Sequence, residues 1–221
     1  MDSITPQVIF YLFGLPIKST IIATWISIAI IITAVILMNA LKPDLAEMIV
    51  EFLSNLISDI MNVDTPEPYL PLIGSLAIFI TVANISGIIP IMVSPTSDIN
   101  TPIALSLVVF FAIYYYGIRS KGVIRYFREL ASPIFLLPLE IIGQISRTLS
   151  LSLRLFGNVL SGELIASILL SLVPLFVPLP MMGLSMLLGI LQAYVFTALA
   201  SVYVASAIEI TEEKFIKNER N

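Results

Sequence analysis

The sequence predicts an all-α integral membrane protein: one N-terminal span, an amphipathic surface helix, a transmembrane hairpin, and two long, strongly tilted intramembrane helices. Three observations carry this. The 221-residue chain is 58% hydrophobic and only 12% charged, against roughly 45–50% and about 25% in soluble globular proteins. Its apolar residues gather in runs long enough to cross a hydrocarbon core of ~30 Å, which takes about 20 helical residues. One run, residues 138–170, would make a helix of roughly 50 Å at about 1.5 Å per residue, so it must tilt, bend or project from the bilayer.

Composition also excludes functions. The chain has no cysteine and no histidine, which removes disulfides, thiolate chemistry, and the commonest general base and metal ligand. A metal site, a cofactor-dependent reaction and a Ser-His hydrolase are therefore not expected, and the chain is not read as an enzyme with a catalytic site of its own. The net charge of −4 is spread over loops and ends, leaving no basic face for nucleic acid. The N-terminus, MDSITPQ, lacks the basic start of a secretory signal, so the chain is read as mature from its first residue.

The elements follow in order within a single membrane domain, residues 1–221. Residues 7–17 form an apolar run too short to span and broken by Gly14 and Pro16, which is expected at an interface. A first span covers 21–41, with Lys18 ahead of it and Lys42-Pro43-Asp44 behind. Over 44–63, Asp44, Glu47, Glu51, Asn55 and Asp59 recur at helical spacing, while Leu45, Met48, Ile49, Phe52, Leu56 and Ile60 face elsewhere. Its polar face is acidic, so packing at the surface against other helices explains it better than attraction to anionic lipid.

The prolines of VDTPEPYLP end that helix. A hairpin of spans follows at 70–93 and 102–118, joined through SPTSDINT, with Asn84, Ser86, Gly87 and Pro90 toward the end of its first arm. The next loop holds Arg119, Lys121, Arg125 and Arg128 against Glu129, and the positive-inside rule makes it cytoplasmic. Counting spans puts the N-terminus outside and the C-terminus in the cytoplasm. Long helices at 138–170 and 181–208 close the fold around SLVPLFVPLP. No internal repeat is visible, which weighs against an alternating-access transporter.

The long helix at 138–170 carries most of the chemistry. Glu140, Gln144, Arg147, Arg154 and Asn158 follow one another by four, three, seven and four residues, a spacing that keeps them on one face. Beside this stripe, Gly143, Ser146, Ser150, Gly157 and Ser161 form a seam of small residues, where a partner helix can approach closely. Glu163 lies nine residues after Arg154, on the opposite side at about 100° per residue. Two ionisable groups on opposite faces suggest two separate aqueous approaches. On the last helix, Ser185, Gly189 and Gln192 share a face that can meet the long helix.

A charged arginine in mid-membrane costs about 2.5–3.5 kcal/mol on insertion scales, so Arg154 reads first as a counter-charge or part of an ion path. The plainer alternative is a structural pair within the chain, but Glu140 is distant and Glu163 is on the far side. Its partner is therefore expected on another protein. Asn158 and Gln192 alone would read as interhelical hydrogen-bond contacts, Glu163 as a neutral carboxyl in apolar surroundings, and Arg147 as an interfacial or structural charge.

Ser152-Leu153-Arg154-Leu155-Phe156-Gly157-Asn158, then Ser161-Gly162-Glu163-Leu164, closely resembles the signature of the a subunit of rotary F-type ATP synthases, and Leu191-Gln192-Ala193-Tyr194 resembles its last-helix motif. Element order agrees over essentially the whole chain. The resemblance implies that Arg154 is the essential arginine and that Asn158, Glu163, Gln192 and Ser185 line two aqueous half-channels, with Gln144, Arg147 and Glu140 as secondary candidates. It implies a stator packed through the small-residue seam against a rotating c-subunit ring, held by b-type peripheral stalk subunits and joined indirectly to the ATP synthase head. The lipid bilayer surrounds this assembly.

One departure stands out. The family often pairs a histidine with the carboxylate of its inlet channel, and the corresponding position here is Ser185. With no histidine in the chain, a Glu-His relay is impossible. The N-terminus is short, like that of the sodium-linked branch, so the ion is the proton by default with sodium as the alternative. The competing class is a self-contained ion channel or secondary transporter using Arg154 as a selectivity or counter-charge residue.

Overall fold

The structure, a computed structural model, describes residues 8–12, 15–87, 94–130, 137–172 and 178–209. Seven α-helices make up nearly all of these: α1 (Ser19–Leu41), α2 (Pro43–Met61), α3 (Leu70–Ser86), α4 (Asn100–Lys121), α5 (Val123–Leu130), α6 (Leu137–Leu172) and α7 (Pro178–Glu209). Four of them, α1, α4, α6 and α7, are long and apolar enough to cross a membrane, and α3 is a shorter apolar helix. The chain is an integral membrane protein.

The apolar run at the start holds two short strands. Val8–Leu12 (β1) and Leu15–Lys18 (β2) pair antiparallel as a two-stranded hairpin, with an irregularity between Val8 and Phe10. Pro16 lies in β2 opposite Tyr11, where it cannot continue a helix. The apolar run over 70–93 is helical as far as Ser86; the stretch from 88 to 93, with Pro90, lies outside the described residues, as do residues 173–177 and the tail from 210.

Two helix ends are set by backbone conformation. Asn62 caps α2 in the left-handed region at φ 51°, which asparagine tolerates, and the Ser58 hydroxyl donates to Val63 O at 2.7 Å. Gly122 (φ 78°) separates α4 from α5, a conformation that costs glycine little. The basic loop therefore continues as a short helix folded against α4. Tyr126 is buried in a notch at Gly117, where a Cβ would collide with its ring. Burial first, then the nearby Tyr114 and Glu140, push its phenol up to about 12, so it stays neutral.

The core lies where α2, α3, α4, α6 and α7 meet. Ala193, Phe196, Ala200, Val204 and Ala207 of α7 recur every three or four residues and face Ile57 and Met61 of α2, Ile73 and Ile80 of α3, Val109 and Ile113 of α4, and Leu151 and Leu155 of α6. At the α2 end, Tyr116 donates to Pro68 O at 3.0 Å and packs on Tyr69, ring centroids 5.0 Å apart. In α2 the inward residues are Leu53, Ile57 and Met61. Leu45, Met48, Ile49 and Phe52, expected on the packed side, are exposed. α2 is apolar on more than one side, and the bundle covers the stripe at its C-terminal half.

Candidate functional site

The rotation of α6 is fixed by Leu151 and Leu155, one turn apart and both buried in the core. That sets Arg154, Ser146, Ser150, Gly157 and Ser161 outward, all exposed, with Gly143 half-buried beside them. A Cβ on Gly143 or Gly157 would meet no atom within 4 Å. Among the described residues, Arg154 makes no hydrogen bond or ion pair.

Part of the polar stripe runs along the edge of α6 that meets α7. Asn158 Nδ2 donates to Leu188 O at 3.1 Å. The Arg147 guanidinium sits 5.7 Å from the centre of the Tyr203 ring, close enough for a cation–π contact. Gln144 Nε2 donates to Glu140 Oε1 at 3.2 Å, while Gln144 Oε1 is buried without a partner among the described residues. The stripe is thus not one uniform surface: Gln144 is buried, Glu140, Arg147 and Asn158 are half-buried, and Arg154 is exposed.

Glu163 faces different surroundings. Its Oε1 accepts the Ser94 amide at 3.2 Å, from the loop that leads through the 3-10 turn Pro95–Ser97 into α4. This loop is buried throughout, Ser94 to Asp98. The Ser94 and Thr96 hydroxyls lie 2.8 Å apart, and Ser94 Oγ also reaches Ala83 O at 2.9 Å. Thr96 donates to Asn84 Oδ1 at 2.8 Å, and Asn84 Nδ2 donates to Gly189 O at 2.9 Å. A polar chain therefore joins α6, the loop, α3 and α7 beside Glu163.

Glycines permit this closeness. A Cβ on Gly87 would stand 2.9 Å from Ser94 Cβ, one on Gly189 3.0 Å from Asn84 Cβ, and one on Gly162 3.0 Å from Ser185 Oγ. So Ser185 meets α6 next to Glu163, whereas Gly189, expected to face the long helix, meets α3. Gln192 is buried, with Nε2 unpaired among the described residues.

The far end of the loop is tied to the N-terminal hairpin. Asp98 Oδ2 accepts from Lys18 Nζ at 2.9 Å and from Thr20 Oγ1 at 3.3 Å, and Oδ1 accepts from the Asn100 amide at 3.1 Å and Asn100 Nδ2 at 2.8 Å. Burial alone would raise this carboxyl, but the Lys18 bond, the Asn100 amide, the Lys18 charge and Thr20 together hold it below the ordinary aspartate range. It forms an ion pair with Lys18, and among the described residues no three potential metal ligands converge.

Sequence reasoning singled out Arg154, Asn158, Glu163, Gln192 and Ser185, and overlooked Lys18, Ser94, Thr96, Ser97 and Asp98. The signals were present: Asn84 is a polar side chain within an apolar run, and Asp98 two residues before Asn100 has the form of a helix-capping turn.

Comparison with known proteins gives a consistent result. The ATP synthase A chain family matches residues 19–205. The chain is 41% identical to "ATP synthase subunit a 2" of Bradyrhizobium sp., over 93% of this chain and 95% of the relative. It is 40% identical to "ATP synthase subunit a 2" of Picosynechococcus sp., over 96% and 95%, and 35% identical to "ATP synthase subunit a" of Moorella thermoacetica, over 94% and 99%. With a match that spans the helices, the exposed arginine and the Glu163 cluster alike, the chain belongs to the ATP synthase A chain family.

Proposed function

We propose that this chain is the stator a subunit of an F-type ATP synthase, with Arg154 discharging the carboxylates of a rotating c ring and two aqueous half-channels delivering and removing the ion. It is an ion-translocating membrane subunit with no catalytic site of its own. Family membership favours this over a self-contained channel or transporter.

The observation that carries the reading is Arg154 itself: exposed, unpaired among the described residues, and beside an open seam of small residues. A lone charge on a membrane helix is costly, so an arginine held there calls for a counter-charge from outside the chain. Arginine remains protonated and offers a planar fork to a carboxylate. At about 4 Å and an effective dielectric near 20 the attraction is roughly 4 kcal/mol, or about 3 pKa units, enough to release a bound cation from a ring carboxylate. The same fixed charge opposes a cation passing straight between the half-channels, so transfer stays coupled to rotation.

With the basic α4–α5 junction on the cytoplasmic side, the Glu163 cluster falls in the outer half-channel together with Asn84, Thr96, Ser185 and Gln192. Glu140, Gln144 and Arg147 fall in the inner one. The ion is the proton by default and sodium as the alternative; the response of ATP hydrolysis to sodium at fixed pH separates them. The c ring and b-type stalk are the direct partners, in a cell inner membrane.

Arg154→Ala tests the proposal. The complex is expected to assemble, to lose ATP-driven pumping, and to leak ions passively, because ring sites could then exchange between half-channels without a full turn. Ring and head content are quantified on the same membranes as the fluxes. Near wild-type pumping in a normally assembled complex sinks the mechanism.

A further inference from the structure

The loop that touches Glu163 is anchored at one end to Glu163 itself and at the other to Asp98. Asp98 is 6% exposed, and all four of its contacts are donors: Lys18, Thr20, and the amide and side chain of Asn100. Only Lys18 brings a compensating charge. It does so from the last residue of β2, 80 positions away in the chain and about one-third exposed. Buried carboxylates are tolerated when paired and hydrogen-bonded, and removing the partner leaves an uncompensated charge.

We infer that the Lys18–Asp98 ion pair is a clasp by which the N-terminal hairpin holds the 94–98 loop in place over Glu163, making Lys18 and Asp98 positioning residues for ion exchange on the outer side. The geometry gives the route. Asp98 lies one residue beyond the 3-10 turn whose Ser94 amide binds Glu163 and whose Thr96 hydroxyl holds Asn84. If Lys18 is neutralised, the buried Asp98 carboxylate draws toward solvent. The turn shifts with it, and Glu163 and Asn84 lose their fixed donors. Neither Lys18 nor Asp98 need touch the ion. The inference rests on Glu163 belonging to the outer half-channel.

The test uses the whole complex in liposomes, with sodium or protons varied on the outer side. The measured quantity is the outer concentration giving half-maximal ATP synthesis under a fixed diffusion potential, or half-inhibition of ATP-driven pumping where synthesis is absent. Lys18→Met is expected to move this concentration at least about threefold with little change in maximal rate per assembled complex. Lys18→Arg is expected to restore it. In an Asp98→Asn background, where no buried charge needs a partner, Lys18→Met should add less than about twofold.

A purely structural role would instead lower the yield of assembled complex and leave the half-saturating concentration unchanged, which overturns the clasp. Equal effects of Lys18→Met with and without Asp98→Asn overturn it too. Glu163→Gln, run alongside, separates the two levels: if it leaves transport unchanged, the outer half-channel reading fails. If it impairs transport while the Lys18 variants change nothing, only the clasp fails.

Discussion

On the Glu163 flank of α6, the carboxylate, Ser94, Thr96, Asn84 and Gly189 O find hydrogen-bond partners within the chain. On the Arg154 flank the guanidinium has none among the described residues, and Gly143 and Gly157 open onto empty space. One helix therefore presents a largely paired polar interior, with the Gln192 Nε2 as its open donor among the described residues, and an uncompleted contact surface. The difference follows from which elements exist in the chain to cover each side: α3, α7 and the 94–98 loop close over Glu163, while Leu151 and Leu155 turn Arg154 away from all of them. A polar group satisfied at home can tune a path. A charge left bare needs a partner that moves.

That contrast can be broken most directly at Glu163. If the completed side conducts ions to and from the ring, Glu163→Gln is expected to slow ATP-driven ion uptake about tenfold or more, the loss of a positioned titratable group. It should not open a leak, because Arg154 still separates the two paths. The slowing should vary with pH or sodium. Rates unchanged across the pH range would reduce Glu163 to a structural carboxyl and erase the functional distinction between the two flanks.

The same substitution made on each side sharpens the comparison. Gly87→Ala would place a Cβ 2.9 Å from Ser94 Cβ. Because Ser94 is buried and bonded to Glu163, the chain must shift, at about 1–3 kcal/mol. Gly157→Ala meets nothing in the chain, and alanine in a helix interior is favoured over glycine by about 0.5–1 kcal/mol. The first should lower the temperature at which this subunit denatures in the complex. The second should leave that temperature unchanged or raise it slightly, and slow pumping by obstructing the approach of a ring helix. A seam that tolerates Gly157→Ala without loss of rate would not be a ring contact.

What the sequence made legible follows the range of the interactions involved. Apolar runs pointed to an integral membrane protein because membrane insertion is read from local composition, and the spacing of Glu140, Gln144, Arg147, Arg154 and Asn158 placed a stripe on α6 because helix geometry is local. The 94–98 loop was not legible in the same way. Ser94 meets Glu163 across 69 positions, Lys18 meets Asp98 across 80, and Asn84 meets Gly189 across 105. No periodicity encodes such pairings. α2 illustrates an intermediate case: its helical period was plain, but more than one side is apolar, and only packing against α3 and α7 selects Leu53, Ile57 and Met61 as the buried one.

The smallest expected effect concerns acid and confines itself to the completed side. Asp98 is held below the ordinary aspartate range in the folded chain, so its deprotonated form is bound more tightly by the fold than by the unfolded chain. A depressed carboxyl of this kind contributes stability that is fully present above the unfolded value, about 3.9, and is lost as pH falls through the folded one. Nothing should therefore change at neutral pH. Below about pH 4, hydrogen exchange of the 94–101 backbone, corrected for its intrinsic pH dependence, should accelerate progressively as the clasp to Lys18 is protonated away. Asp98→Asn removes the titrating group and should flatten this response, leaving the loop equally protected at pH 3 and pH 6. The Arg154 flank offers a control in the same sample, because the stretch 150–158 has no carboxylate of this chain to lose. If 94–101 and 150–158 loosened together on acidification, the response would belong to the whole bundle rather than to Asp98, and the ion pair would hold nothing in place.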